Sequence, residues 1–407
     1  MSTRLNGTDG VSLEVEKWAQ VLKRMGHEIF YCAGELGGYA AGGALIPKAY
    51  FGHPAILNLT RRAFAGDEAP ERLYEEIQAI ADELIPPLRA FVEEKKLDLL
   101  IVENALAIPM NLPLGVALTE LIAELNLPTI AHHHDFYWER QRYQNNRIFD
   151  LLDRVFPPDL PSMRHVTINS IAQKRLAARR GIEAVTIPNV HDFAVPPPET
   201  DEYSRDVRAA MGLGQDDLFI LQPTRVIQRK GIELAIELTH WLDLPHKRMV
   251  ISHSAGDEGR DYLHWLEREA RAMQVDLRMA DEQVQPQRGR LNGRKVYSLW
   301  DIYPHADLVT YPSLYEGFGN ALLEAVYFKR LIVINRYPVY NADIGPLGFR
   351  FIELDGFVSE AAVARTAALL RDPAACREMA EHNYALAQAH FSLEVLEETL
   401  GSLLETF

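Results

Sequence analysis

The chain has 407 residues, 47% hydrophobic and 24% charged, enough for about two or three packed domains. Its formal charge of −15 excludes a non-specific nucleic-acid binder, which needs a basic footprint; residues 1–190 carry −4 of it and the remainder −11. Cys32 and Cys376 give neither a disulfide framework nor a zinc spacing, no apolar run approaches the ~20 residues of a membrane span, and the start lacks a signal-peptide layout, so a cytoplasmic protein is expected.

In chain order, "NGTDGVS" and the amphipathic "LEVEKWAQVLKRM" read as a strand-to-helix loop and its helix, with only five residues ahead of them. A doubly wound domain places its first strand there. Either about one strand, roughly five to eight apolar residues, lies upstream of Met1, or Ser2–Leu5 form a stub strand. Strands are predicted at 27–34, 97–104, 128–134, 165–170 and 184–189. Helical periods fall between them, including "ERLYEEIQAIADELIPPLRAFVEE", broken at Pro86-Pro87, and "LPLGVALTELIAEL". The proline-rich "IPNVHDFAVPPPET" (187–200) has no period and reads as an interdomain linker. Beyond it a short helix stops at Gly212 and Gly214, and strands at 217–225, 247–253, 275–281, 307–313 and 331–336 alternate with helices. The final "SLEVLEETLGSLLETF" is a helix with Ser392 as its cap. This alternation predicts an α/β protein of two Rossmann-like, doubly wound domains facing a central cleft. Their boundaries are 1–190 and 191–390, with a C-terminal helix in 391–407 crossing back to the first.

The stretch "SLYEGFGNALLEA" (313–325) sets two glutamates around Gly317 and Gly319, between a strand and a helical run. Gly317 and Gly319 favour an exposed, sharply turned backbone, and Asn320 is a candidate cap. First-turn N–H groups would then point into the loop, where they can hold phosphate or sugar oxygens. Glu316 and Glu324 would approach one ligand from two directions. A glycine-rich loop beside an ordinary exposed Glu is the alternative.

This segment resembles the signature of the retaining glycosyltransferases of family 4, the group 1 class with a GT-B fold. There a Glu, seven residues and a second Glu occur in the context Pro-Ser-x-x-Glu-Gly-Phe-Gly, here Pro312 to Gly319 and on to Glu324. The resemblance implies that Glu324 binds ribose hydroxyls and that Glu316 lies by the transferred sugar. It gives the amides of Gly317, Phe318, Gly319 and Asn320 to sugar and diphosphate. "QPTRVIQRKGIELAIEL" puts Arg225 and Lys230 at a strand's C-terminal edge, where ligands of open α/β sheets bind. An Arg fork and a Lys point charge suit a departing diphosphate; the spacing resembles the family's Arg-x4-Lys-Gly, which grips it. Arg229 is taken as a solvated neighbour.

In "IAHHHDFYWERQRY" a strand turns His132 and His134 to one face and His133 to the other, which disfavours a three-His metal site. The family's His-Asp pair after this strand matches His134 and Asp135, with the His reaching sugar or acceptor. Trp138 could stack on a sugar ring or be buried in packing. His133 is read as structural. Gly10 matches a family glycine that approaches the donor phosphates, and Gly7-x-x-Gly10 is not the dinucleotide fingerprint.

Together these residues imply a retaining hexosyl transfer from a nucleotide-diphosphate sugar, UDP- or GDP-linked, to a hydroxyl of a small soluble acceptor. Glu316, His134, Arg225 and Lys230 carry the chemistry. No metal is required, and Mg2+ is the ion to consider if one takes part. A nucleotide-sugar epimerase on the same fold and a non-catalytic sugar-nucleotide binder are the alternatives.

Overall fold

The computed structural model describes residues 1–7, 10–65, 69–254 and 260–407. The chain divides into two compact units, Met1–Asn189 with Leu396–Phe407, and Val190–Val395.

In the first unit the strands are β1 (Cys32–Ala33), β2 (Ala44–Leu45), β3 (Leu100–Glu103), β4 (Thr129–His133), β5 (Met163–Thr167) and β6 (Ala184–Thr186). β3, β4, β5 and β6 form a parallel sheet in that order, and β1 pairs in parallel with β2. Residues Met1–Leu5 join the two pieces. The Met1 amino group donates to Ile101 O at 2.7 Å, and Met1 O accepts from Glu103 N at 2.8 Å. On the other side Ser2 N donates to Cys32 O at 3.2 Å and Leu5 N to Glu35 O at 2.9 Å. These five residues therefore stand where the first strand is expected, as a stub between β1 and β3.

The helix Pro70–Lys95 runs unbroken through Pro86 and Pro87, where a break is expected from sequence. Each proline removes an N–H from the ladder, but both are exposed, as are Asp82 and Glu83 four residues back, so water can satisfy the released carbonyls. Leu73, Ile77, Ile80, Leu84, Leu88 and Phe91 form a buried stripe that holds the axis on both sides of the pair. The C-terminal helix Leu393–Leu404 begins after Ser392, whose hydroxyl accepts from Val395 N at 3.4 Å. Its end meets Arg164 of the first unit, which donates to Thr406 O at 2.6 Å and lies 5.0 Å over the Phe407 ring.

The second unit holds β7 (Leu218–Gln222), β8 (Lys247–Ile251), β9 (Asp276–Met279), the hairpin β10 (Gly289–Leu291) and β11 (Arg294–Val296), then β12 (Leu308–Tyr311), β13 (Ile332–Asn335) and β14 (Ile352–Leu354). The six-stranded parallel sheet has the order β14-β13-β12-β7-β8-β9. β7 starts the unit, β8 and β9 extend one way, and β12 to β14 extend the other. The β7–β12 boundary is thus the point where the winding reverses, the place where open α/β sheets bind ligands. The hairpin and β14 are not read from sequence.

Candidate active site

At the β7–β12 boundary the strand ends are locked by a buried polar chain. Thr310 Oγ1 donates to Gln222 Oε1 at 2.7 Å, and Gln222 Nε2 donates to Thr224 Oγ1 at 2.7 Å. This fixes the two loops that follow, 223–231 and 312–319, against each other. Leu314 N donates to Arg229 O at 2.8 Å, and Gly231, at φ +57, lets Pro312 O approach where a Cβ would stand only 2.4 Å from it.

The short 3-10 turn Gln228–Lys230 carries Lys230 inward. Lys230 and Glu316 are 8% and 7% exposed, and the ammonium is ion-paired to Glu316 Oε1. Arg229 takes the other oxygen, Oε2, at 2.8 Å and also donates to Tyr315 O at 3.1 Å. Arg229 is therefore a partner of Glu316, not the solvated neighbour expected from sequence. Burial works to raise the Glu316 carboxyl, but Lys230 and then Arg229 outweigh it and hold it below the usual carboxylate range. The Lys230 ammonium also lies 5.5 Å from the Tyr311 ring centre. Burial, then the Glu316 charge, keeps the Tyr311 and Tyr337 phenols protonated far above neutrality.

Gly319 has φ +133, and a Cβ there would meet the hydroxyls of Tyr337 at 3.0 Å and Tyr311 at 3.1 Å. Only glycine fits that backbone without strain. Tyr337 donates to Phe318 O at 2.6 Å, and the Phe318 ring packs on Phe391 with centroids 5.1 Å apart. The helix Asn320–Tyr327 is capped at Gly319, one residue earlier than the Asn320 cap expected. Glu324, partly buried one turn in, accepts from Tyr303 Oη at 3.2 Å. Arg225 is exposed and has no ion-pair partner among the described residues. His253, past the end of β8, is a neighbour that sequence reasoning passes over: burial, then the charges of Arg225 and Lys230, push its ring below the usual histidine range.

The first unit assembles a different cluster at the ends of β3 and β4. Glu103 and His132 are register partners. Glu103 Oε2 lies 2.9 Å from His132 Nδ1 and 3.4 Å from His134 Nε2, and the two rings are 4.6 Å apart. Burial works to lower the His134 proton affinity, but the bond to Glu103 and the charges of Glu103, Glu14 and Asp135 raise it above the ordinary histidine value. His133 turns the other way and meets His165 at 2.9 Å. Burial pushes both rings down, His165 to about 4. Asp135 is held by Arg140 and by Asn104 Nδ2 at 3.2 Å. Trp138 stacks on Phe136 at 4.5 Å, with the Arg179 guanidinium 5.0 Å from its centre, so packing contacts engage its ring. Gly10 opens the helix Gly10–Arg24; Thr8 and Asp9 before it lie outside the described residues. Among the described residues Glu103, His132 and His134 are the group whose donor atoms could converge on a cation, all within 4.8 Å of one another. Glu103 and Asn104 are missed from sequence because "IVEN" reads only as a strand end; the signal was two polar residues closing an apolar strand.

Comparison with known proteins bears on both units. A family model described as glycosyl transferases group 1 matches residues 203–386. A mannosylglucosylglycerate synthase of Thermotoga maritima is 36% identical, the match covering 97% of this chain and 96% of that protein. One of Petrotoga mobilis is 33% identical over 86% of this chain and 85% of its own length. The solved structure of a glycosyltransferase from Rickettsia africae is similar with a TM-score of 0.68 at 12% identity, covering 99% of this chain and 96% of the other. No helix among the described residues is long and apolar enough to cross a membrane.

Proposed function

The chain belongs to the group 1 glycosyltransferases with a GT-B fold, and on that premise we propose that it transfers a mannosyl group to glucosylglycerate, retaining the anomeric configuration. As a member of that family it takes a glycosyl group from a nucleotide-sugar donor and gives it to an acceptor hydroxyl. The names of the two relatives support mannosyl as the group and glucosylglycerate as the acceptor. The donor is UDP- or GDP-linked, and the reaction belongs in the cytoplasm.

The observation that carries the reading is the ion-paired Lys230–Glu316–Arg229 cluster, with Lys230 and Glu316 buried, at the winding reversal. Departure of the nucleotide builds negative charge on the diphosphate and positive charge on the sugar ring. Lys230 and the exposed guanidinium of Arg225 answer the first, with the amides of Gly317, Phe318, Gly319 and Asn320 at the helix start. Glu316 answers the second and accepts from sugar hydroxyls with its remaining lone pairs. Because both its oxygens already face cations, Glu316 is neither a free base nor a covalent nucleophile. The acceptor proton then passes to the leaving phosphate. Glu324 takes the ribose hydroxyls, and Gly10 admits the donor phosphates. His134 and Asp135 serve the acceptor side, while Trp138 braces their loop. Fixed cations supply the charge a metal would otherwise bring, so removing Mg2+ with a chelator should leave the rate unchanged.

Calorimetric titration with UDP-, GDP- and ADP-sugars, followed by mass analysis of products with glucosylglycerate, tests the reading. Binding of one mannose donor and a product heavier by one hexose is expected. An epimerised free sugar nucleotide, or no transfer from any donor, would overturn it.

A further inference from the structure

The first-unit cluster contains a carboxylate to which the proposed reaction gives no task. Glu103 closes β3 and is 3% exposed. Its backbone is pinned on both sides: its N–H donates to Met1 O at 2.8 Å and its carbonyl accepts from Ser2 Oγ at 3.1 Å. Its side chain has two imidazole neighbours through one oxygen, His132 Nδ1 at 2.9 Å and His134 Nε2 at 3.4 Å. The His132 ring is itself clamped, stacked 4.2 Å from Trp18. The next residue, Asn104, sits at φ +58 and turns its amide the same way. Its Oδ1 accepts from His134 N at 3.1 Å and its Nδ2 donates to Asp135 Oδ1.

We propose that Glu103 is a positioning residue for His134: its carboxylate fixes the ring through Nε2, so that Nδ1 is the atom left to meet the sugar or the acceptor hydroxyl. This rests on the reading of His134 as an acceptor-side residue. The physical reason is the one-sided chemistry of a carboxylate. An ionised Glu only accepts, so hydrogen stays on Nε2 whether the His134 ring is neutral or protonated, and Nδ1 is the nitrogen that gains or loses the second proton. His132, held by Trp18, bonds the same carboxylate oxygen and keeps it from rotating away. Asn104 sets the backbone of His134, and Glu103 sets its ring. Carboxylates that orient metal-bound histidines change function ~10- to 100-fold without touching substrate, and the same order is expected for Glu103 behind His134.

The test uses the full chain with mannose donor and glucosylglycerate. Glu103→Gln keeps shape and removes charge, and Glu103→Asp keeps charge with a shorter reach. Glu103→Gln should lower kcat by ~10- to 100-fold with donor KM within about twofold, and Glu103→Asp should recover part of that loss. In a His134→Asn background the Glu103→Gln change should cost nothing further, because the two act as a unit. Wild-type kcat for Glu103→Gln would overturn the proposal, as would the same fold-loss repeated in the His134→Asn background. So would one equivalent of tightly bound metal in the wild type that disappears, together with activity, in Glu103→Gln. If His134→Asn itself turns over at the wild-type rate, the acceptor-side reading fails first and the role of Glu103 falls with it. Donor calorimetry on the same variants separates that outcome from loss of donor binding.

Discussion

In Val190–Val395, Glu316 is gripped on each oxygen by a cation; in the first unit, Glu103 shares one oxygen between two imidazoles. Both carboxylates are buried and both stand at the ends of parallel strands, yet the partners differ in kind. Lys and Arg bring permanent positive charge, whereas a neutral imidazole offers one donor and one acceptor nitrogen. On the proposed reading, one cluster supplies fixed electrostatics and the other orients hydroxyls. The same contrast separates what breaks when each is altered.

The largest effect is expected in the fixed-charge cluster. Lys230→Ala should reduce transfer by ~10²–10³-fold, the cost of removing one preorganised donor to developing charge. Arg229 remains on Glu316, so the thermal penalty should stay below the ~3–5 kcal/mol of a fully broken buried pair; initial rates and melting curves on one preparation read both. The titratable unit should respond to pH instead. An unfolded His titrates near 6.5, and burial holds His165 at about 4. The unfolded chain therefore takes up the proton first as pH falls. Stability from this group is full above pH ~6.5 and drains by about 3 kcal/mol toward pH 4. Urea midpoints at pH 7.5 and 4.5 measure it, and His165→Phe should flatten the difference.

Smaller effects sharpen the comparison at the backbone and at the rim. Gly319→Ala forces a left-handed φ and a clash with two tyrosine hydroxyls, and should cost ~1–3 kcal/mol. Gly348→Ala, at φ +93 but with open space around it, pays only the conformational part and serves as the control in the same melts. Arg225→Ala should raise donor KM about tenfold, a loss of ~1.4 kcal/mol, and leave stability within ~0.5 kcal/mol, since the side chain is exposed.

The two units also differ in how much of them is legible in sequence. The motif of the second unit is local: Glu316, the glycines and Glu324 are neighbours in the chain, and strand–helix spacing places Lys230 beside them. What sequence does not carry is the 3-10 turn that sets Arg229 against Glu316, or the tyrosines at 311 and 337 that meet Gly319. In the first unit, strand alternation separates His133 from its neighbours, but the carboxylate they need comes from position 103, a partner fixed by register across two strands. The proline pair in the helix Pro70–Lys95 misleads for a related reason: a buried stripe on one face outweighs two lost backbone bonds on the exposed face.

The most direct measurement of the central claim is mannosyl transfer to glucosylglycerate by Glu316→Gln, followed by product mass, with melting temperature as the control for folding. A folded variant whose transfer rate falls at least ~10²-fold is the expected result. A folded Glu316→Gln protein that transfers at the wild-type rate would contradict the assignment of the Lys230–Glu316–Arg229 cluster to the reaction.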